Sequence, residues 1–403
     1  MDFGFDDKTV EMQERLLGFM DEYVYPAEAA VLAEHGGAEV FTRPAVMKDL
    51  QAKARELGLW NLFLPHDSRG GGLTNLQYAP LAEISGRAPW LAPEAMNCSA
   101  PDTGNMELLA MFGTPEQQER WLEPLLNAQI RSAFCMTEPE VASSDARNIE
   151  TSMTRDGDDY VINGRKWWST GAMDPTCEIF IVMGKTDPQA DGYHQQSMIL
   201  VPRDTPGVEV VRPLSVYGYM DGSHGGHAEV SFTDVRVPVS NVLGEEGAGF
   251  ALAQARLGPG RIHHCMRAIG MAERAVELMC RRVVEREAFG KPLARQGVIQ
   301  HWIAQSRVRI EATRLLILKT AWLMDTVGNK GAHTEIQAIK VATPEVTTWV
   351  LDRAVQAFGG AGVSQDTPLA ALWAGARTLH LADGPDEVHE ASLARREIKQ
   401  YLG

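Results

Sequence analysis

The feature that most limits what this 403-residue chain can fold into is a double change in the spacing of its apolar residues. From Asp6 to about Leu126 the spacing is helical. Val10, Leu16 and Leu17 form one predicted stripe, and a second helix is predicted to open at Pro44, a residue suited to a first helical turn. Between about Ser132 and Val239 the period shortens to two. Tyr160-Val161-Ile162, Ile179-Phe180-Ile181-Val182 and Met198-Ile199-Leu200-Val201 are short apolar runs bounded by Gly, Asp and Pro, and Val230-Ser231-Phe232-Thr233 alternates. Runs at hairpin spacing predict a compact antiparallel β domain rather than βαβ units. After Gly247 the helical period returns. Ile262, Met266, Ile269, Val276, Met279 and Val283 share one face, Ile299, Ile303, Ile310 and Ile317 a second, and Ile336, Ile339, Val346 and Val350 a third. Long helices with short connections predict a four-helix bundle, with Pro344 starting, kinking or splitting its third helix. The chain reads as α+β: an N-terminal helical domain at 1–131, a middle antiparallel β domain at 132–242 and a C-terminal four-helix bundle at 243–403, without a Rossmann pattern.

Charge and cysteine usage exclude several function classes. The 53 acids against 38 bases give a net charge of −15, the wrong sign for a nucleic-acid binder or a partner of anionic membranes. No apolar run approaches the roughly eighteen residues needed to span a bilayer. Met1 to Tyr25 carry seven acids against two bases, the opposite of a secretory signal or an Arg-rich transit peptide. The five cysteines are scattered, without a C-x-x-C pair, which fits a reducing compartment and offers no metal framework. A cytoplasmic protein without metal is expected. Ser68-Arg69-Gly70-Gly71-Gly72 follows no strand and precedes no Gly-Lys-Ser/Thr, so it reads as a turn before a helix.

Four local sequences narrow the function. They are Phe134-Cys135-Met136-Thr137-Glu138-Pro139 followed by Ser144-Asp145; Asn163-Gly164-Arg165-Lys166-Trp167-Trp168-Ser169-Thr170; Arg286-Glu287-Ala288-Phe289-Gly290-Lys291-Pro292-Leu293; and Gln356-Ala357-Phe358-Gly359-Gly360-Ala361-Gly362. In this order they closely resemble the acyl-CoA dehydrogenase family of flavoproteins, nearly end to end through Tyr401. The resemblance implies FAD as cofactor, an acyl-CoA as substrate, an electron-transfer flavoprotein as acceptor, and a homodimer or homotetramer. A flavin needs an apolar wall against its ring, donors at its polar edge and a cradle for its pyrophosphate. Met136, Thr137, Trp168, Ser169 and Thr170 match family positions around the isoalloxazine ring, where a hydroxyl donates to the flavin and the indole packs beside it; Trp167 reads as core packing. Ser144 matches the serine that meets FAD and the CoA portion of the substrate. Glu140-Val141-Ala142-Ser143-Ser144-Asp145 is one residue longer than the usual Gly-Ala-Gly-Ser-Asp form, which leaves Ser143 as the alternative. Arg286, with Phe289, matches the grip on the FAD diphosphate of a neighbouring subunit, a task suited to a rigid guanidinium fork. Gln296, in Arg295-Gln296-Gly297, stands where family members carry a Phe-Gln pair. Gln356, Gly359 and Gly360 resemble the stretch that contacts the FAD of the partner subunit, glycine letting a phosphate approach the backbone. Pro385 and Glu387 complete the cofactor set that the resemblance implies, and Gly258, Arg261 and Gly384 join Ser144 in the substrate set.

The implied reaction is α,β-desaturation of the thioester: a carboxylate takes the α-proton while hydride leaves the β-carbon for the flavin N5. The α-proton is weakly acidic, so the thioester oxygen must be polarised and the base partly desolvated. Most of the family carries a Glu-Gly pair near the C-terminus for this role. Here the stretch reads Leu381-Ala382-Asp383-Gly384-Pro385-Asp386-Glu387-Val388-His389, with Asp383 in the Glu position and about 1.5 Å less reach. Another branch places the glutamate immediately before an arginine of the bundle; the matching pair here is Gly260-Arg261, and glycine cannot be a base. Asp383 is the candidate at either position. The ending resembles the Asp-bearing subgroup of family members 10 and 11, which favours longer or branched acyl chains. Asp383 also reads as a helix N-cap, with Glu387 in the first turns. His389 with Glu387 and Asp386 reads as a solvated helix face rather than a metal site, and Ser223-His224-Gly225-Gly226-His227 as a loop. Two alternatives stay open. One is a nitroalkane-oxidase-like enzyme of the same fold, using oxygen; the other is a non-catalytic flavoprotein binding nucleic acid, which the acidic charge disfavours.

Overall fold

The computed structural model describes residues 4–35, 40–64 and 67–402. Helices lead, the longest being Asp7–Phe19, Tyr25–His35, Met47–Glu56, Asn75–Gly86 and Asp102–Phe112. In the first of them the buried stripe is Met12, Leu16 and Phe19, while Val10 and Leu17 face outward, against expectation. The apolar residues at 10 and 17 lie off the face that the 12–16–19 spacing defines. Pro44 lies ahead of its helix rather than at its start: its carbonyl accepts the Met47 amide, and the helix runs Met47–Glu56. The glycine run sits in a turn before Asn75–Gly86, whose Thr74 and Gln77 form a reciprocal capping box.

Seven strands follow: β1 (Arg131–Cys135), β2 (Ser152–Asp156), β3 (Asp159–Thr170), β4 (Cys177–Lys185), β5 (Gln196–Pro202), β6 (Val208–Leu214) and β7 (His227–Pro238). The hairpin-joined pairs β2–β3, β4–β5 and β6–β7 are antiparallel, as is β3–β7. One expectation is corrected: the sheet is not wholly antiparallel, because β1 runs parallel to β4, with Ala133 opposite Phe180, and β2 meets β4 in the same sense at Ser152 and Lys185. The β2–β3 excursion separates β1 from β4, so no tight turn dictates their direction. Inward residues of the alternation, including Ile162, Phe180, Val182, Ile199, Val201, Val230 and Phe232, make the core. At the start of β1, Arg131 is fully buried against Glu94 at 2.8 Å, Asp102 at 3.3 Å and Asp174 at 3.4 Å.

The C-terminal part has three long helices, Gly249–Glu285, Gly297–Gly331 and His333–Phe358, and two shorter ones, Leu369–Thr378 and Asp386–Lys399. The second long helix is interrupted at Gly328, where φ is 71°. His333–Phe358 packs against Gly297–Gly331 and both short helices. It runs on through Pro344 without the expected break. The proline removes one backbone hydrogen bond from a 26-residue helix whose Ile336, Ile339, Val350 and Leu351 are buried, and packing outweighs that loss. Helices Gly249–Glu285 and Asn75–Gly86 touch backbone to backbone: a Cβ at Gly86 would meet the Arg267 carbonyl, and one at Gly270 the Glu83 carbonyl.

The chain divides into two compact units. One comprises the N-terminal helix up to Tyr25, Gly72–Pro93 and the chain from Arg261 onward; the other comprises Pro26–Gly71 and Glu94–Gly260. All five cysteines are free. Among the described residues no helix is long and apolar enough to cross a membrane, and no cluster of His, Cys, Asp and Glu could hold a metal ion.

Candidate active site

Within the sheet-bearing unit, the first two motifs come together. Lys166 is fully buried on β3, and its ammonium donates to the Met136 carbonyl at 2.9 Å and to Glu138 at 2.8 Å. Glu138 also accepts from the amides of Glu150 and Thr151 and from the Thr151 hydroxyl. Burial lowers the Lys166 pKa, with Glu138 opposing; burial raises Glu138, but Lys166 and these donors hold it below its ordinary value. The Trp167 amide donates to the Thr137 carbonyl at 3.0 Å, so Met136-Thr137 lies beside Trp167 to Thr170.

A bulge shapes this end of β3. The β3–β7 register shifts between Lys166 and Ser169, and Trp168 adopts φ 53° with 41% of its surface exposed. A bulky residue in the left-handed region is strained, and bulges re-aim side chains beside functional sites. Ser169 is buried, while Thr170 bonds His227 Nδ1 at 2.9 Å. His227 Nε2 lies 3.1 Å from Asp221, which only accepts, so in the neutral ring Nε2 carries the proton and Nδ1 accepts the Thr170 hydroxyl. The sequence reading missed His227, placing it in a plain loop. The serine pair separates cleanly: Ser143 is buried and its hydroxyl accepts the Glu138 amide at 2.8 Å, whereas Ser144 is exposed. The exposed Trp168 indole and the half-buried Met136 offer apolar surface, and the exposed hydroxyls of Thr137 and Ser144 offer donors, a set that fits a flavin.

In the helical unit, Asp383 lies in the turn between Leu369–Thr378 and Asp386–Lys399, at φ 57°. The N-cap reading is corrected: the position before Asp386–Lys399 is Pro385, two residues beyond Asp383. The Asp383 carboxylate lies 3.6 Å from His264 Nε2, and its carbonyl accepts from Arg261 Nε at 3.1 Å. Burial lowers the Arg261 pKa, with Asp383 opposing. Gly384 adopts φ 103°, and a Cβ there would crowd His389 at 3.0 Å, so glycine is required. His389 is a second correction: it is fully buried, with Nδ1 2.5 Å from Gln337 and Nε2 3.1 Å from the Gly384 carbonyl. Burial, with Arg261 and Lys340 nearby, pushes its imidazole down to about 4. Lys340 donates to the carbonyls of Leu379 and Ala382. His264, Gln337 and Lys340 carry no motif that the sequence reading could have used.

The remaining candidates are spread over this unit, except Gly258, which is buried in Gly249–Glu285 on the other side of the unit boundary. Arg286 is exposed beside a two-residue hairpin whose tip, Phe289, is 99% exposed at φ 52°. Gln296 is half-buried and precedes Gly297–Gly331. Gln356, Gly359 and Gly360 are exposed where His333–Phe358 ends, and Gly359 closes that helix at φ 63°. Pro385 is half-buried and Glu387 exposed.

Profiles of the acyl-CoA dehydrogenase N-terminal, middle and C-terminal domains match residues 6–129, 133–235 and 247–398. A Mycobacterium tuberculosis protein named as a probable acyl-CoA dehydrogenase is 57% identical over 402 residues, 99% of this chain and 98% of that protein. Acyl-CoA dehydrogenase family member 11 of Gallus gallus is 55% identical over 396 residues, 97% of this chain and 50% of the relative, so the chain spans about half the length of that protein. A solved Mycobacterium abscessus structure assigned to the acyl-CoA dehydrogenases matches with a TM-score of 0.96 at 52% identity, covering 99% of this chain and 100% of the other.

Proposed function

This chain belongs to the acyl-CoA dehydrogenase family, and from that premise we propose that it desaturates an acyl-CoA thioester between the α and β carbons, with FAD as cofactor and Asp383 as base. The observation that carries the reading is the Asp383 turn. A carboxylate is held there by its own main chain, Arg261 grips that main chain, and the family's other base position is Gly260. Bound FAD would supply the two-electron acceptor for the hydride released from the β-carbon. The chain's own part is to bind, orient and move the α-proton to an Asp383 carboxylate oxygen. Trp168 and Met136 supply the apolar wall for the ring. The Thr170 hydroxyl already donates to His227, which favours Thr137, exposed, as the hydroxyl donor. Ser144 serves cofactor and CoA; Gly258, Arg261 and Gly384 serve the substrate.

Anaerobic mixing of the holoprotein with butyryl-, octanoyl- or palmitoyl-CoA tests the reading. At least one should bleach the flavin. Bleaching by nitroethane and by none of the three thioesters would replace it with the nitroalkane-oxidase alternative. We place an electron-transfer flavoprotein downstream as acceptor.

Arg286, Phe289, Gln296, Gln356, Gly359, Gly360, Pro385 and Glu387 are assigned to FAD, with Arg286, Phe289, Gln356, Gly359 and Gly360 reaching across a boundary between copies of the chain. The support is exposure: a phenylalanine at the tip of a hairpin in a left-handed conformation, beside an exposed guanidinium, suits a group that inserts into a neighbour. Arg286→Ala should weaken FAD retention by about tenfold to a hundredfold, the range for losing a charge-assisted hydrogen bond. It should loosen the oligomer as well. Unchanged FAD affinity in titration, together with unchanged sedimentation, would defeat the cross-subunit assignment.

A further inference from the structure

Lys340 sits mid-way along the helix His333–Phe358 with 1% of its surface exposed. Buried lysines ordinarily pair with a carboxylate, because desolvating an ammonium is expensive. The hydrogen bonds of this one run instead to main-chain carbonyls, those of Leu379 and, at 2.9 Å, Ala382, 39 and 42 residues along the chain. Both lie where the chain leaves the helix Leu369–Thr378, and carbonyls at a helix end lack intrahelical donors.

The geometry at Asp383 gives these bonds their meaning. The backbone angles of a residue are the mutual rotation of the two peptide planes that flank it. The plane before Asp383 carries the Ala382 carbonyl, held by Lys340; the plane after it carries the Asp383 carbonyl, held by Arg261 at 3.1 Å. One turn earlier on the same helix, Gln337 bonds His389, whose ring reaches the Gly384 carbonyl at 3.1 Å. Three consecutive carbonyls, 382 to 384, are thus each held by a side chain. With both flanking planes pinned, Asp383 stays at φ 57°, a left-handed conformation that a short polar side chain tolerates but does not by itself fix. An apolar side chain could fill the space that Lys340 occupies but could not hold the Ala382 carbonyl.

We propose that Lys340 is a positioning residue for the base: by holding the peptide plane that precedes Asp383, its ammonium sets the direction in which the carboxylate meets the substrate α-carbon. This rests on Asp383 being the base. The test uses the holoenzyme with whichever of butyryl-, octanoyl- or palmitoyl-CoA reduces the native flavin fastest. Three quantities are followed per bound FAD: the flavin-reduction rate, KM, and exchange of the substrate α-protons with deuterium oxide. In Lys340→Met, reduction and α-proton exchange should slow together by about tenfold to a hundredfold, as for a reacting group misplaced by about an ångström, while KM changes little. Lys340→Arg, which keeps donors, should recover much of the rate. A native reduction rate per bound flavin in Lys340→Met would overturn the proposal, since a merely structural lysine would affect yield and melting temperature alone. Should Lys340→Met not fold, Lys340→Leu replaces it beside Lys340→Arg, and equal rates in both would overturn the proposal. Asp383→Asn separates the two readings. If it reduces at the native rate, the base assignment falls; if it is slow while Lys340→Met is native, only the positioning role falls.

Discussion

Asp383→Asn is expected to keep its flavin and to slow anaerobic reduction by acyl-CoA about 10²- to 10⁴-fold, the usual consequence of removing a general base. Asn has the size of Asp and tolerates the same left-handed backbone, so the turn at φ 57° should survive the change. What it lacks is a basic oxygen. The carboxylates of Asp386 and Glu387 do not substitute: Asp386 bonds His380 at 2.5 Å, and Glu387 is exposed on the following helix. Asp383→Glu is the companion test. Glutamate adds about 1.5 Å of reach but loses the short polar side chain that makes the left-handed region tolerable. A rate below that of Asp is therefore expected. A rate equal to or above it would show that the shorter base is tolerated rather than required. Near-native reduction by Asp383→Asn would remove the residue from the chemistry and place the base elsewhere, on the helix face around Arg261.

Arg131→Met should destabilise the folded protein by about 3–5 kcal/mol, the range for stripping one partner from a buried ion pair. Arg131 is fully enclosed and its guanidinium meets three carboxylates, Glu94, Asp102 and Asp174. Those carboxylates are otherwise occupied as acceptors. Asp102 takes the amide and hydroxyl of Ser132, Asp174 those of Thr176, and Glu94 the Arg43 guanidinium at 2.9 Å. Methionine fills similar space but strips the buried Asp102 and Asp174 of their Arg131 partner and leaves Glu94 with Arg43. The damage should reach function, because β1 begins at Arg131 and ends immediately before Met136. Urea unfolding compared with the native protein measures the loss. A difference within about 1 kcal/mol, the scale of an exposed ion pair, would mean that the cluster is better solvated than its burial implies.

Much was legible in the chain alone, because helical and strand periods are set by residues three or four, or two, positions apart. The helix–sheet–helix succession, the inward residues of the strands, the three long C-terminal helices and the family motifs all come from such local patterns. The family resemblance also offered Asp383 as the candidate base, with Gly260 at the other position. Local patterns misled where a stripe had competing members, as at Val10 and Leu17, and where a polar run looked solvated, as at His389. The partners of the candidate groups needed the tertiary structure. Nothing within a few residues of Lys340 announces the Ala382 carbonyl, and nothing near Thr170 announces His227, 57 residues away. The parallel β1–β4 pairing and the bulge that turns Trp168 outward depend on which strand lies alongside. Hydrogen bonds and desolvation act between groups that meet in space, and a single sequence orders its residues only along the chain.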